Sequence, residues 1–187
     1  MATWINEKRL STLSADMEGN VLIFKAGDEK AEVYLAGSSI EKVVYTYAGK
    51  TTAISEGQKI VVGESNWRRD VYHYLKPNGP APHMRLGITK HGGAGTWSSL
   101  PHDFELHTEP DFEEVFFYIL DGEPKRAIQV GQGVWFDNSP VDSVWPIRDR
   151  SFGVVPMGYH PVVGEPGVTV SYVWVYLAKK KEWEKVK

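Results

Sequence analysis

The chain has 187 residues, 42% of them hydrophobic, and a formal net charge of -3 at pH 7. This length and apolar content suffice for a buried core, which excludes disorder, and interspersed acids and bases leave no basic field for nucleic acid. Because cysteine is absent, disulfides, thiolate metal sites and a cysteine nucleophile are excluded. Without a signal-peptide pattern or a run of ~18 apolar residues, we expect a soluble, cytoplasmic protein with no membrane partner.

Short apolar segments separated by Gly and Pro run along the whole chain. In chain order they are VLIFK, AEVYL, EKVVYTY, QKIVVG, DVYHYL, MRLGIT, EEVFFYIL, RAIQVG, GVWF, FGVVP and VTVSYVWVYL. Turn signals such as AGDEK, LDGEPK and GEPG lie between them. This pattern predicts a sandwich or barrel of short antiparallel strands. Helical character is confined to the first dozen residues and to the tail that begins at Ala178.

Two of these segments show where the interior lies, because alternate residues of a strand face opposite sides of the sheet. In VTVSYVWVYL, Tyr172 and Trp174 share one apolar face and Val173 lies on another, which indicates a central strand. In EEVFFYIL, Glu114 shares a face with Phe116 and lies at the end of a buried aromatic row. A carboxylate there is costly to desolvate unless it is paired, hydrogen-bonded or bound to a metal.

The segment VVPMGYHPVV contains a candidate partner for that carboxylate. Pro156 and Gly158 favour a tight turn, which presents His160 at a fixed angle. If the two segments are neighbours in one barrel, His102, Glu114 and His160 can converge on a divalent metal. The alternative is that the carboxylates at the start of EEVFFYIL are ordinary solvated groups at a strand end.

Four segments together resemble the 5-deoxy-glucuronate isomerase family of myo-inositol catabolism: NWRRDVYHYL, GGAGTWSSLPH, EEVFFY and VPMGYHPVV. The likeness runs from about Asn66 to Tyr176, with weaker similarity to 5-keto-4-deoxyuronate isomerase. The order of a His cluster, a Glu before a hydrophobic strand and Pro-x-Gly-x-His is similar to the two metal-binding motifs of cupins. The resemblance implies an all-β cupin fold, a double-stranded β-helix (jelly-roll barrel) at residues 65–187, after a small N-terminal β lobe at residues 1–64.

The resemblance also implies a divalent metal, zinc or manganese rather than iron, bound by three histidines and one glutamate. Its glutamate matches Glu114, which directly precedes VFFY, and its last histidine matches His160 in GYHP. The implied ligand set is His102, His107, Glu114 and His160.

The first half of this ligand set departs from the family pattern, which begins with His-x-His. Aligned without a gap, that pair falls on Asp103 and Glu105, whereas a shift of one residue gives His102 with Phe104. A bulge in DFEL would let His102 and His107 supply the two imidazoles. Glu105 is the alternative fourth ligand, and His107 would then be a loop histidine in water. Family members also carry a larger N-terminal lobe than residues 1–64 can form.

The function implied by the resemblance is metal-dependent aldose-ketose isomerisation of a uronic acid, with a small acidic sugar as the partner molecule. A metal would act as a Lewis acid while a base moves a proton through an ene-diol, and a hydride shift is the alternative route. Candidate bases are Glu105, Glu113 and Tyr118. Alternatives are an iron-dependent cupin dioxygenase and a non-catalytic cupin sugar-binding protein. Aromatic edge strands favour a homodimer.

For several other polar residues the sequence gives a less specific indication of function. Histidines 73, 83 and 91 lack ligand-like spacing and are interpreted as structural or surface residues, although one near the pocket could move a proton. Basic residues that could bind a substrate carboxylate are Arg85, Lys90, Arg148 and Arg150.

Overall fold

The structure is a computed structural model that describes residues 3–7, 9–92, 95–98 and 112–178. Regular structure in these ranges is β, apart from one turn of 3-10 helix at Ser65–Trp67. The predicted all-β class is therefore confirmed. Over the same ranges, no helix is long and apolar enough to cross a membrane.

The N-terminal sheet is an antiparallel meander of five strands in chain order. Tight turns such as that at Gly27, where φ is +57°, connect the strands, and buried residues alternate with half-buried ones along the third strand of the sheet. Its strands are β2 (Ser14–Glu18), β3 (Val21–Ala26), β4 (Glu29–Ala36), β5 (Ser39–Tyr47) and β6 (Lys50–Ile54).

The second sheet has seven strands in the order β1-β14-β11-β17-β9-β8-β7. Its strands are β1 (Thr3–Trp4), β7 (Gln58–Val62), β8 (Arg69–Leu75), β9 (Met84–His91), β11 (Glu114–Gly122), β14 (Ser151–Val155) and β17 (Val168–Leu177). The segment VTVSYVWVYL is β17 and lies at the centre of the sheet, as its two apolar faces predicted. The expected helical character of the first dozen residues is wrong, because β1 pairs in parallel with β14.

The third sheet faces the second and closes the barrel that the resemblance to cupins implied. Its path is β10-β16-β12-β13, and β15 pairs with β12 off this path. Its strands are β10 (Thr96–Ser98), β12 (Ala127–Val134), β13 (Pro140–Ile147), β15 (Met157–Tyr159) and β16 (Val162–Gly164).

Both faces of the central sheet are buried, each in a different core. Val115 and Phe117 of β11 pack with the N-terminal sheet in one cluster, whereas Phe116 and Tyr118 face the barrel interior in the other. This is the division of side chains that the two-residue period predicted. The division of the chain at residue 64 stays a prediction. β7 (Gln58–Val62) lies in the barrel sheet although it precedes that boundary.

Candidate metal and substrate site

The barrel interior brings together two of the four predicted ligands. Glu114 is the first residue of β11, and His160 follows β15 directly. His160 Nε2 lies 4.0 Å from Glu114 Oε2, and the two side chains are 0% and 8% exposed. Together they would offer a divalent metal one imidazole and one carboxylate donor.

The backbone around His160 selects the imidazole tautomer that a metal ligand needs. His160 Nδ1 lies 2.9 Å from the carbonyl oxygen of Gly158, which can only accept, so Nδ1 carries the proton. In the neutral ring, Nε2 then carries the lone pair on the side of Glu114. Gly158 has a φ of +108°, a conformation that side chains rarely adopt, and this explains the glycine in the motif.

Aromatic side chains surround this pair on the barrel side of the central sheet. The ring of Phe116 packs edge-on against His160 at 6.2 Å and stacks on Tyr172 at 4.4 Å. Tyr176, directly opposite Glu114 on β17, stacks on Phe112 at 5.9 Å. A carboxylate and an imidazole in such apolar surroundings interact more strongly with a bound cation than they would in water.

Glu113 has a different environment from its neighbour Glu114. It is 1% exposed, and its carboxylate accepts hydrogen bonds from the backbone N–H groups of Ser11, Thr12 and Leu13, at 2.7–3.1 Å. The hydroxyl of Ser11 also donates to it. These contacts hold the N-terminal segment against the start of β11. The interpretation of Glu113 as a solvated strand-end group is therefore wrong.

Tyr118 and Gln129 connect the barrel interior to the backbone at His160. The phenol of Tyr118 donates to Gln129 Oε1 at 2.8 Å, and Gln129 Nε2 donates to the His160 carbonyl oxygen at 2.7 Å. Burial raises the pKa of Tyr118 well above its usual value. Tyr118 is thus a hydrogen-bond donor at neutral pH. Sequence reasoning did not identify Gln129, although its polar side chain alternates with outward-facing residues of a strand.

The other predicted ligands, His102 and His107, and their alternatives Asp103 and Glu105 lie outside the described residues. Within the described ranges no three His, Asp or Glu side chains group around a potential metal position. The donor set at Glu114 and His160 fits half of a nitrogen and carboxylate site.

The remaining histidines occupy three distinct environments. His83 is 54% exposed on its side chain and pairs with Glu29, with 2.9 Å between Nδ1 and Oε1. His73 packs edge-on against Trp174 inside the barrel at 5.2 Å. His91 is buried at the end of β9. Alternation along MRLGITKH places His91 on the same face of β9 as Arg85, which faces the barrel. The spacing between the histidines, on which the sequence interpretation is based, does not reveal this position.

Comparison with known proteins decides the family, because the KduI/IolB family model matches residues 17–187. The chain belongs to the KduI/IolB family. Among curated KduI/IolB relatives, 5-deoxy-glucuronate isomerase of Bacillus subtilis (strain 168) is 29% identical over 126 residues, which cover 65% of this chain and 45% of that protein. The 5-deoxy-glucuronate isomerase of Listeria monocytogenes is 28% identical over 170 residues, which cover 89% of this chain and 60% of that protein.

This KduI/IolB chain spans about half the length of the curated relatives it matches. Among solved structures, an IolB-like protein from Salmonella typhimurium superposes with a TM-score of 0.59 at 20% identity. The superposition covers 94% of this chain and 74% of that one. At this identity the likeness shows a shared fold and no more.

Proposed function

We propose that this chain is a metal-dependent sugar-acid isomerase, which interconverts the aldose and ketose forms of 5-deoxy-glucuronate or a related uronic acid. The observation that carries the proposal is the 4.0 Å separation of His160 Nε2 and Glu114 Oε2 inside the barrel. The names of the curated relatives support the reaction and the substrate class.

The residues that would hold the metal are Glu114 and His160 together with His102, and His107 or Glu105 as the fourth. Zinc or manganese suits this mixture of imidazole and carboxylate donors. A bound divalent metal supplies a Lewis acid that polarises an oxygen at the reacting carbons. Gly158 keeps His160 in the tautomer whose Nε2 can bind the ion.

Arg85 is the residue that we assign to the substrate carboxylate. It lies in the same cross-strand row as Glu114, with Tyr176 of β17 between them. Its guanidinium is fixed by donation to the backbone carbonyls of Ala81 and Met84 at 2.8 and 3.0 Å. A planar guanidinium whose donors are fixed in this way has the geometry that recognises a carboxylate.

The base stays unassigned, because the described candidates already have other roles. Glu113 binds three backbone N–H groups, and Tyr118 donates to Gln129. Glu105 lies outside the described residues and remains a candidate base.

The first test is elemental analysis of the purified, untagged protein, reported as metal ions per chain. We expect about one equivalent of zinc or manganese. The variant His160→Ala should lose that metal, together with isomerisation of 5-deoxy-glucuronate. The matched control is His83→Gln, since His83 is largely exposed and distant in sequence from the proposed ligands.

Three results would contradict the proposal. If His160→Ala folds and keeps the metal with unchanged affinity, the site assignment is wrong. Protein that takes up no metal yet binds uronic acid without turnover would instead be a sugar-binding protein. Iron with oxygen consumption would place the chain with the dioxygenases.

A further inference from the structure

The end of the barrel away from Glu114 contains a second group of polar side chains. On β11, Glu114 and Leu120 are six residues apart, about 20 Å along the strand. His91 lies in the same cross-strand row as Leu120. Leu120 pairs with Val170 of β17, and the register in which Lys90 pairs with Ser171 sets His91 opposite Val170. This group is therefore separate from the proposed metal site.

His91 is a buried imidazole whose hydrogen bonds are incomplete. It is 4% exposed, and among the residues that the structure describes neither ring nitrogen makes a hydrogen bond of good geometry, although the Arg68 backbone is close enough to favour the protonated ring weakly. Its ring stacks on Tyr172 at 6.1 Å. Buried polar atoms in folded proteins are nearly always paired, since an unpaired one weakens the fold. A water or another small molecule could complete such a ring.

Arg69 supplies a positive charge next to His91. The two residues are directly opposite each other on β8 and β9, which places their side chains on the same face. The guanidinium donates to the Trp67 carbonyl at 3.1 Å, and the ion pairs of the described residues give it no carboxylate. Burial, assisted by this guanidinium, lowers the pKa of His91 to about 4. At neutral pH the ring therefore has one N–H donor and one acceptor.

Two hydroxyl groups lie on the side of His91 where its ring stacks on Tyr172. Ser98 is fully buried, and its hydroxyl oxygen lies 2.6 Å from the phenol oxygen of Tyr172. The group thus combines one guanidinium, one neutral imidazole and two hydroxyls. A guanidinium recognises a carboxylate, whereas a neutral imidazole, both donor and acceptor, matches a hydroxyl group.

We propose that Arg69 and His91 form a second binding site for a small hydroxy acid, whose carboxylate pairs with Arg69 and whose hydroxyl hydrogen-bonds to His91. The site does not depend on the proposed metal or on isomerase activity. Phe116, stacked on Tyr172 at 4.4 Å, lies between this site and His160.

The test uses two probes that differ by one hydroxyl group, glycolate and acetate. The imidazole nitrogens of His91, identified by their loss in His91→Phe, are followed by 15N NMR during titration at pH 7. We expect glycolate to shift both nitrogens in a saturable manner. Acetate should bind about fivefold more weakly, the effect of one net hydrogen bond.

Variants separate this site from the rest of the molecule. Arg69→Gln should weaken glycolate binding at least about tenfold, because a charge-assisted pair is lost. The control Arg126→Gln removes an exposed arginine that pairs with Glu165 and should leave binding unchanged. His160→Ala should also bind glycolate normally, so failure of the isomerase proposal would be distinguishable from failure of this one.

Three outcomes would overturn the proposal. The first is that glycolate leaves the His91 nitrogens unmoved, the result expected if a buried water alone completes the ring. Equal affinity for acetate would remove the role of the hydroxyl. Unchanged affinity in Arg69→Gln would remove the role of the charge, and calorimetric titration of this variant with glycolate decides the matter even where His91→Phe does not fold.

Discussion

Two adjacent carboxylates, Glu113 and Glu114, show how one step along a strand separates structural from chemical roles. The Glu113 carboxylate accepts backbone N–H groups from Ser11 to Leu13, whereas Glu114 lies 4.0 Å from a histidine nitrogen inside the barrel. Glu113 directly precedes β11 and Glu114 begins it, and their side chains reach opposite sides of the sheet, so neither residue can replace the other.

Gln129 is the buried residue that connects the barrel core to His160. Its side-chain oxygen accepts from the Tyr118 phenol, and its nitrogen donates to the His160 carbonyl. It also donates to its neighbour, the Val130 carbonyl, at 2.8 Å. Gln129 acts as a positioning residue, because it fixes the backbone from which the His160 ring projects.

Replacing Gln129 with leucine removes these hydrogen bonds at similar volume. The Tyr118 phenol and the His160 carbonyl lose a buried partner, and we expect Gln129→Leu to lower the free energy of unfolding by about 3 kcal/mol. Metal affinity, where the proposed site is intact, should fall about tenfold or more. Urea unfolding and a metal competition assay measure the two effects.

The control for this substitution lies three residues further along the same strand. Gln132 is exposed and donates only to Asp142, so Gln132→Leu should change stability by no more than about 0.5 kcal/mol. Equal losses in the two variants would show that burial of the glutamine does not matter. Lower stability with unchanged metal affinity would limit Gln129 to a structural role.

The sequence predicted Glu114 and His160 because each lies in a short motif with a local physical signature. One is a charge at the head of an apolar strand, and the other is a histidine after a Pro-x-Gly turn. His91 and Gln129 lack such signatures. Their importance comes from residues distant in the chain, such as Arg69 of the neighbouring strand, and register across a sheet is not readable from one strand alone.

At the scale of elements, the central strands were predictable and the short edge strands were not. Alternation in β11 and β17 is strong because both faces are apolar, and the structure confirms the predicted faces. β1 has only two residues, too few for a period, and its pairing is set by contacts such as Trp4 stacked on Phe152 at 5.1 Å. Tertiary packing therefore determines this strand.

Gly87 permits close packing between two central strands of the barrel. A Cβ at this position would overlap the Trp174 ring and the Tyr72 carbonyl oxygen, and the backbone oxygen cannot move away as a flexible side chain could. We expect Gly87→Ala to lower the free energy of unfolding by about 3 kcal/mol, through overpacking. Chemical denaturation monitored by tryptophan fluorescence would measure the loss.

A second glycine next to the same strand provides the comparison. Among the described residues, no atom lies within 4 Å of a Cβ built at Gly92. Gly92→Ala should therefore leave stability unchanged or raise it by a few tenths of a kcal/mol, through reduced freedom of the unfolded chain. If the two substitutions have the same effect, close packing at Gly87 is not the reason for the glycine there.

At the scale of the whole molecule, the N-terminal sheet and the barrel share one hydrophobic core. Phe24 of β3 packs edge-on against Phe152 of β14 with ring centroids 6.2 Å apart. Polar contacts cross the same boundary, since the Glu29 carboxylate accepts from the Met84 backbone N–H at 3.0 Å. Because of this coupling, we expect the two parts to unfold as one cooperative unit.

Phe24→Ala tests this cooperativity, because it removes a fully buried ring from the N-terminal side of the shared core. We expect a loss of about 3–5 kcal/mol in a single unfolding transition. Hydrogen exchange should then accelerate for the most protected amides of both β4 and β17, which open only by global unfolding. Tyr47→Ala, at a 37% exposed position, serves as the control and should have a much smaller effect. Acceleration confined to residues 14–54 would instead show that the N-terminal sheet unfolds alone while the barrel persists.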